Sequence, residues 1–472
     1  MDIGLLFRNA QVDGARVDVR VERGRIGAIG QLAARPGERV IEADGGALLP
    51  GLHDHHIHGA ALAVARSSVA CGPPDVVDAD GLAVALGQPG TGWLRGVGYH
   101  ESVAGMLDVA MLDRWAHDRP VRVQHRSGRM WFLNSLAMDL LLRNTAPPPG
   151  LDRATGQLFD ADLWLRQTLG SVPPDLSDIG RDLARMGVTG MTDMSPANDG
   201  VMAGHFAAQR DGGRLPQRVV MAGTIGLSDA PVPGVTVGPV KLHLHENALP
   251  DFDACVAFVV HGHGLGRATA VHCTTQTELV FALAVLREAG AVAGDRIEHA
   301  GVAPDILVEQ IAEMGLHVVS QPHFIAERGD RYLADVEPQD RPFLYRLGGF
   351  ARAGVVLAAG SDAPYGSADP WAAMRAAVAR RTAAGVTIGA DEALSPEAAR
   401  DLFLADPMDL TQLRRVTVGV PADLCLLSCS WAQARERLDA DDVRMTIVGG
   451  SVVHDRVDQP PVQRSPGADP AA

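Results

Sequence analysis

The first 46 positions alternate apolar and polar residues with short interruptions. "LLFRNAQVDGARVDVRVERGRIGAIG" reads as short strands broken at Gly and Asp turns. Near the other end, "ADLCLLS" and "VRMTIVGGSVVH" repeat that texture. Segments 1–46 and 405–456 are therefore expected to build one small composite β-sandwich domain, with a Pro-rich, polar and disordered tail over 457–472. Between them the pattern changes. Strand-like runs at 47–58, 188–194, 218–225, 238–245, 268–273, 296–300, 317–322 and 355–362 alternate with Ala/Leu/Arg-rich helical runs such as "ELVFALAVLREAG" and "PDILVEQIAEMG". Eight strands with helical crossovers predict an α/β fold, a (β/α)8 TIM barrel over 47–404. Region 60–180 breaks the alternation with extra strands, "GWLRGVGYH" and "PVRVQHRSG", and a helix, "NSLAMDLLLR". It is expected to be an insertion after the first strand, large enough to form a lid over the barrel mouth.

The same pattern locates candidate chemistry. In a parallel barrel every carboxyl end opens on one face, where active sites sit. In "LLPGLHDHHIH", His56 and His58 are two apart, so a strand presents both on one side. Asp54 lies one step deeper on that side and is expected to orient a ligand through its other ring nitrogen. His53 and His55 point the other way. "TAVHC" places His272, "RIEHAG" places His299, and "VVLAAGSDAP" places Asp362 at later strand ends. Each alone has an ordinary explanation, a hydrogen-bonded histidine or a helix N-cap. Together and in order they describe a metal centre.

Composition adds one residue to that set. Of 42 Lys plus Arg, a single lysine stands in the chain, Lys241 in "VGPVKLHLHE" on the fourth strand. Arg and Lys are interchangeable as solvated charges, but only Lys yields a neutral amine when buried. His243 and His245 share its face and are expected to line the site. The net charge of −15 argues against nucleic-acid and anionic-membrane partners. Five cysteines without framework spacing, no apolar run of membrane length and an N-terminus with no basic region point to a cytoplasmic enzyme. A Gly-rich stretch, "VVHGHGLGRA", precedes a strand rather than opening a helix, so it is no phosphate cradle. The expected partners are a small-molecule substrate and other copies of the chain.

The order PG-x-x-D-x-H-x-H, then Lys, His, His and "SDAP", resembles the amidohydrolase superfamily. The long insertion with "HRSGRMWFLNS", "RIEHA", "VVSQPHF" and "GSDAPYGSADPW" is similar to its branch that includes N-substituted formamide deformylase. The resemblance implies a hydrolase of non-peptide, amide-type C–N bonds with one or two divalent ions, most often Zn²⁺. It implies His56, His58 and Asp362 on one ion, His272 and His299 on the other, and Lys241 between them, carboxylated by carbon dioxide. Attack by a metal-bound hydroxide would follow, with Asp362 handling the proton. His323, Tyr365, His125 and Arg129 are candidates to bind substrate. The branch commonly carries Gly-His where this chain has Gly128-Arg129. A mononuclear deaminase-like hydrolase, or a lactonase or esterase on the same barrel, is the alternative.

Overall fold

The computed structural model describes residues 4–73, 75–170, 173–228 and 232–456. The tail 457–472 lies outside them. Its central sheet has eight parallel strands paired in chain order: Leu52–Ile57, Val188–Asp193, Arg218–Gly223, Val235–His243, Thr269–Cys273, Arg296–His299, His317–Ser320 and Leu357–Ala359. Closure comes from the residues just after the last strand. Asp362 N donates to His56 O at 2.6 Å, and His58 N donates to Ala363 O at 2.9 Å. Gly360 permits this approach, because a Cβ there would stand 2.3 Å from His56 N.

Helices cover the outer face for local reasons. Gln276–Ala289 starts at a capping box between Thr275 and Glu278 and stops at Gly290, which has φ +78°. Its Leu279, Leu283 and Leu286 pack with Val271, Ile297 and Val318 of the neighbouring strands.

The strand expected over 47–58 is two strands. Leu48–Pro50 pairs antiparallel with Leu424–Leu427, and the barrel begins only at Leu52. The chain changes sheets at Gly51, where a Cβ would meet the Thr189 side chain at 2.1 Å. That short strand joins Leu424–Leu427, Val443–Val448 and Ser451–Asp455 in one four-stranded sheet. Leu5–Val12, Ala15–Glu22, Arg25–Gly30 and Arg39–Glu42 form another. One apolar cluster holds both, with Phe7, Val19 and Ile26 from the first and Leu48, Leu426 and Ile447 from the second.

Residues 60–174 form a separate compact unit. Its mixed sheet includes Leu94–Tyr99, Val121–His125 and Met130–Leu133. Buried Asn134 ties it together, donating to Ala116 O and Arg119 O and accepting from Val121 N and Ala137 N. Residues 175–180 fall with the barrel: helix Ser177–Arg185 buries Ile179 and Leu183. Among the described residues, no helix is long and apolar enough to cross a membrane.

Candidate metal centre

Strand register sorts the barrel interior into levels. Lys241, Ala270 and Arg296 are neighbours across strands four to six, and His243, His272 and Glu298 form the next level towards the mouth. Alternation brings each set to one face. His299 follows Glu298 directly and would by alternation point outward. Its backbone instead takes φ +71°, in the left-handed region. The turn brings the ring inward, 4.5 Å from the His272 ring and 4.9 Å from the His56 ring. Asp362, at φ +52°, departs from the strand in the same way. Such conformations cost roughly 1–3 kcal/mol each and persist where the surroundings enforce them.

His56, His299 and Asp362 each offer a ligand atom within 4.8 Å of the others, and all three are buried. His58 Nε2 stands 3.1 Å from Asp362 Oδ1, and His56 Nε2 stands 3.4 Å from the same oxygen. The imidazoles continue in a row, His272 to His243 at 4.2 Å and His243 to His245 at 4.4 Å between ring centres. His245 is exposed and marks the outer end. Burial pushes His56, His272 and His299 below the ordinary histidine value and His243 down to about 3. Neutral rings have lone pairs to give. His56 Nε2, His299 Nε2 and Lys241 Nζ are buried without a hydrogen-bond partner among the described residues. Unpaired buried nitrogens are costly and rare, so the two on His56 and His299, which lie with Asp362 in one compact group, fit a cation as the missing partner.

The Nδ1 atoms of His56, His58 and His299 are held. His56 Nδ1 lies 2.5 Å from Glu298 Oε2, His58 Nδ1 lies 3.2 Å from Ser195 Oγ, and His299 Nδ1 lies 2.7 Å from Gln321 Oε1. Burial opposes ionisation of Asp362, but the His58 hydrogen bond and the nearby His299 and His56 rings outweigh it and hold the carboxyl below its ordinary value.

The amidohydrolase family model matches residues 39–454. The chain belongs to the amidohydrolase family. It is 24% identical to N-substituted formamide deformylase of Arthrobacter pascens, over 93% of this chain and 95% of that one. Its fold is similar to an uncharacterized metal-dependent hydrolase of Pyrococcus horikoshii, with TM-score 0.75, 19% identity and coverage of 90% and 97%. N-isopropylammelide isopropylaminohydrolase of Burkholderia multivorans gives TM-score 0.53 at 16% identity, with coverage of 95% and 98%.

In this amidohydrolase several residues depart from expectation. The compact donor set brings His299 together with His56 and Asp362. Among the described residues Asp54 makes no hydrogen bond to an imidazole. Its Oδ1 accepts from His56 N at 3.1 Å and Ser361 N at 2.9 Å, bracing the backbone of both strand ends. Burial raises this carboxyl to about 6, against those hydrogen bonds. His323 is 1% exposed, and its Nε2 lies 3.0 Å from Ser361 O, so it holds the turn before Asp362. Tyr365 is 59% exposed, with its ring 5.6 Å from that of His58. His125 and Arg129 belong to the 60–174 unit. There His125 lies between Ser127 Oγ and Glu101 Oε2, and Arg129 pairs with Asp160 over the Phe159 ring. Sequence reasoning passed over Glu298, Gln321 and Ser195. Only Glu298 left a trace, as the acid beside His299 in "RIEHA".

Proposed function

We propose that this amidohydrolase is a metal-dependent hydrolase that cleaves a C–N bond other than a peptide bond in a small molecule. The observation that carries the reading is the pair of buried, unpartnered nitrogens, His56 Nε2 and His299 Nε2, converging beside Asp362. The deformylase relative supports the bond class. The donor set of imidazole and carboxylate suits Zn²⁺. Bound there, the ion supplies a Lewis acid that activates water near neutral pH and polarises a carbonyl.

The chain's own groups do the rest. Asp362 Oδ1 takes the proton released from water and returns it to the leaving nitrogen, and His58 Nε2 fixes its orientation at 3.1 Å. The imidazole row ending at His245, with Tyr365, forms the proposed substrate wall. Lys241 is the proposed second anchor. Burial pushes its ammonium down to about 8, against the pull of Glu298. The neutral amine can attack carbon dioxide: a nitrogen–carbon bond forms, one C=O π bond opens, a proton leaves to solvent, and the carbamate's two oxygens share one negative charge. Arginine, charged at all accessible pH, cannot do this. A one-ion centre with unmodified Lys241 is the second reading, favoured by a single observation. His56, His299 and Asp362 are the one compact three-donor group among the described residues. Intact-mass analysis for bound carbon dioxide on Lys241 separates the two. The five free cysteines accord with a cytoplasmic setting.

The test is a hydrolysis screen of the Zn²⁺- or Mn²⁺-loaded protein over N-formyl amines, N-acyl amino acids, cyclic amides and lactones. Turnover of an amide class that chelation abolishes is expected. Turnover of lactones alone reassigns the bond, and equal activity after chelation removes the metal from the mechanism.

A further inference from the structure

Glu298 is wholly buried on the sixth strand, and both its oxygens are engaged. Oε2 stands 2.5 Å from His56 Nδ1, and Oε1 accepts from Arg296 Nε at 2.6 Å. Arg296 is held in turn, reaching His55 O at 3.3 Å and Met194 Sδ at 2.9 Å. A carboxylate paired with a guanidinium only accepts, so the His56 proton must sit on Nδ1 and Nε2 is left bare towards Asp362. The other two rings have weaker holders. His299 meets the neutral amide of Gln321 at 2.7 Å, and His58 meets the Ser195 hydroxyl at 3.2 Å. A charged acceptor makes about twice as strong a hydrogen bond as a neutral one. Arg296 and Glu298 are 3% and 0% exposed, so neither can turn to water; Gln321 is equally buried but uncharged, and Ser195 is partly exposed.

We infer that the Arg296–Glu298 pair is a positioning device that fixes His56, by tautomer and ring angle, as the anchor donor of the metal centre. The inference rests on the metal-dependent reading above. Glu298 touches neither ion nor substrate in it and acts through His56 alone.

The test is competition for Zn²⁺ between the purified full-length protein and a chromophoric chelator. Glu298→Gln is expected to weaken Zn²⁺ binding about 10–100-fold while circular dichroism stays unchanged. Nitrogen NMR of the histidine rings is expected to show His56 losing its fixed Nδ1–H form. Wild-type affinity in folded E298Q overturns the inference. Should E298Q fail to fold, Arg296→Lys keeps the charge and loses the Nε hydrogen bond. Weaker Zn²⁺ binding in R296K supports the inference, and unchanged binding overturns it. A wild-type protein that takes up no Zn²⁺ overturns the metal-dependent reading as well, whereas equal affinities in wild type and variant overturn this inference alone.

Discussion

An arginine at position 241 would keep a positive charge and lose the amine. Burial that brings Lys241 to about 8 leaves roughly a tenth of it neutral at pH 7, which is enough to react with dissolved carbon dioxide. Lys241→Arg is therefore expected to lower kcat/KM by about a hundredfold or more, with reduced metal content by elemental analysis. Unchanged metal and activity would show that this lysine has no role at the site. Asp362→Asn is expected to lower kcat by about 10²–10⁴-fold, the range for a lost general base, and steady-state kinetics on the substrate found by screening checks it. At this scale the sequence was informative where residue type and strand spacing suffice, as for His56 and His58. It misled where a side chain had two available partners. Asp54 has the right spacing to orient an imidazole, yet the neighbouring backbone N–H groups of His56 and Ser361 reach it first.

Strand positions were legible from apolar runs, and all eight barrel strands lie where those runs stand. What alternation could not show is where the period breaks. "RIEHA" as a regular strand sends Glu298 and His299 to opposite faces, and only φ +71° at His299 lets both address His56. Nor does a pattern of apolar residues reveal that the run 47–58 serves two sheets, because Gly51 interrupts it without interrupting the hydrophobicity. The closure of the barrel depends on another small residue. Gly360→Ala would press a methyl group into the His56 backbone at 2.3 Å. It is expected to destabilise the fold by about 1–3 kcal/mol, read as a lowered thermal midpoint, and to weaken metal binding in parallel. A loss of stability with unchanged metal affinity would separate barrel closure from the geometry of the centre.

For the whole molecule, segments that flank the barrel on both sides in sequence meet in one apolar core. A buried ion pair in that region gives it a pH signature. Arg20 Nε donates to Glu38 Oε1 at 2.5 Å, and this hydrogen bond holds the Glu38 carboxyl below its ordinary 4.5 against opposing burial. The stabilisation is fully present above that value and is lost as pH falls through the depressed one. Glu38→Gln is expected to lower the thermal midpoint near pH 7 by about 1–2 °C and to make progressively less difference as pH falls through the depressed Glu38 value. The 60–174 unit has its own core, in which Tyr99, Val123 and Phe132 are buried. The proposed activity depends most directly on the convergence of donors that lie far apart in sequence. Equilibrium Zn²⁺ titration of the chelator-stripped protein measures it, with His56→Ala and His299→Ala beside the wild type. A saturable site in the wild type that either substitution abolishes is the expected result. Equal Zn²⁺ uptake by all three proteins, or none by the wild type, would contradict a metal centre built on these residues.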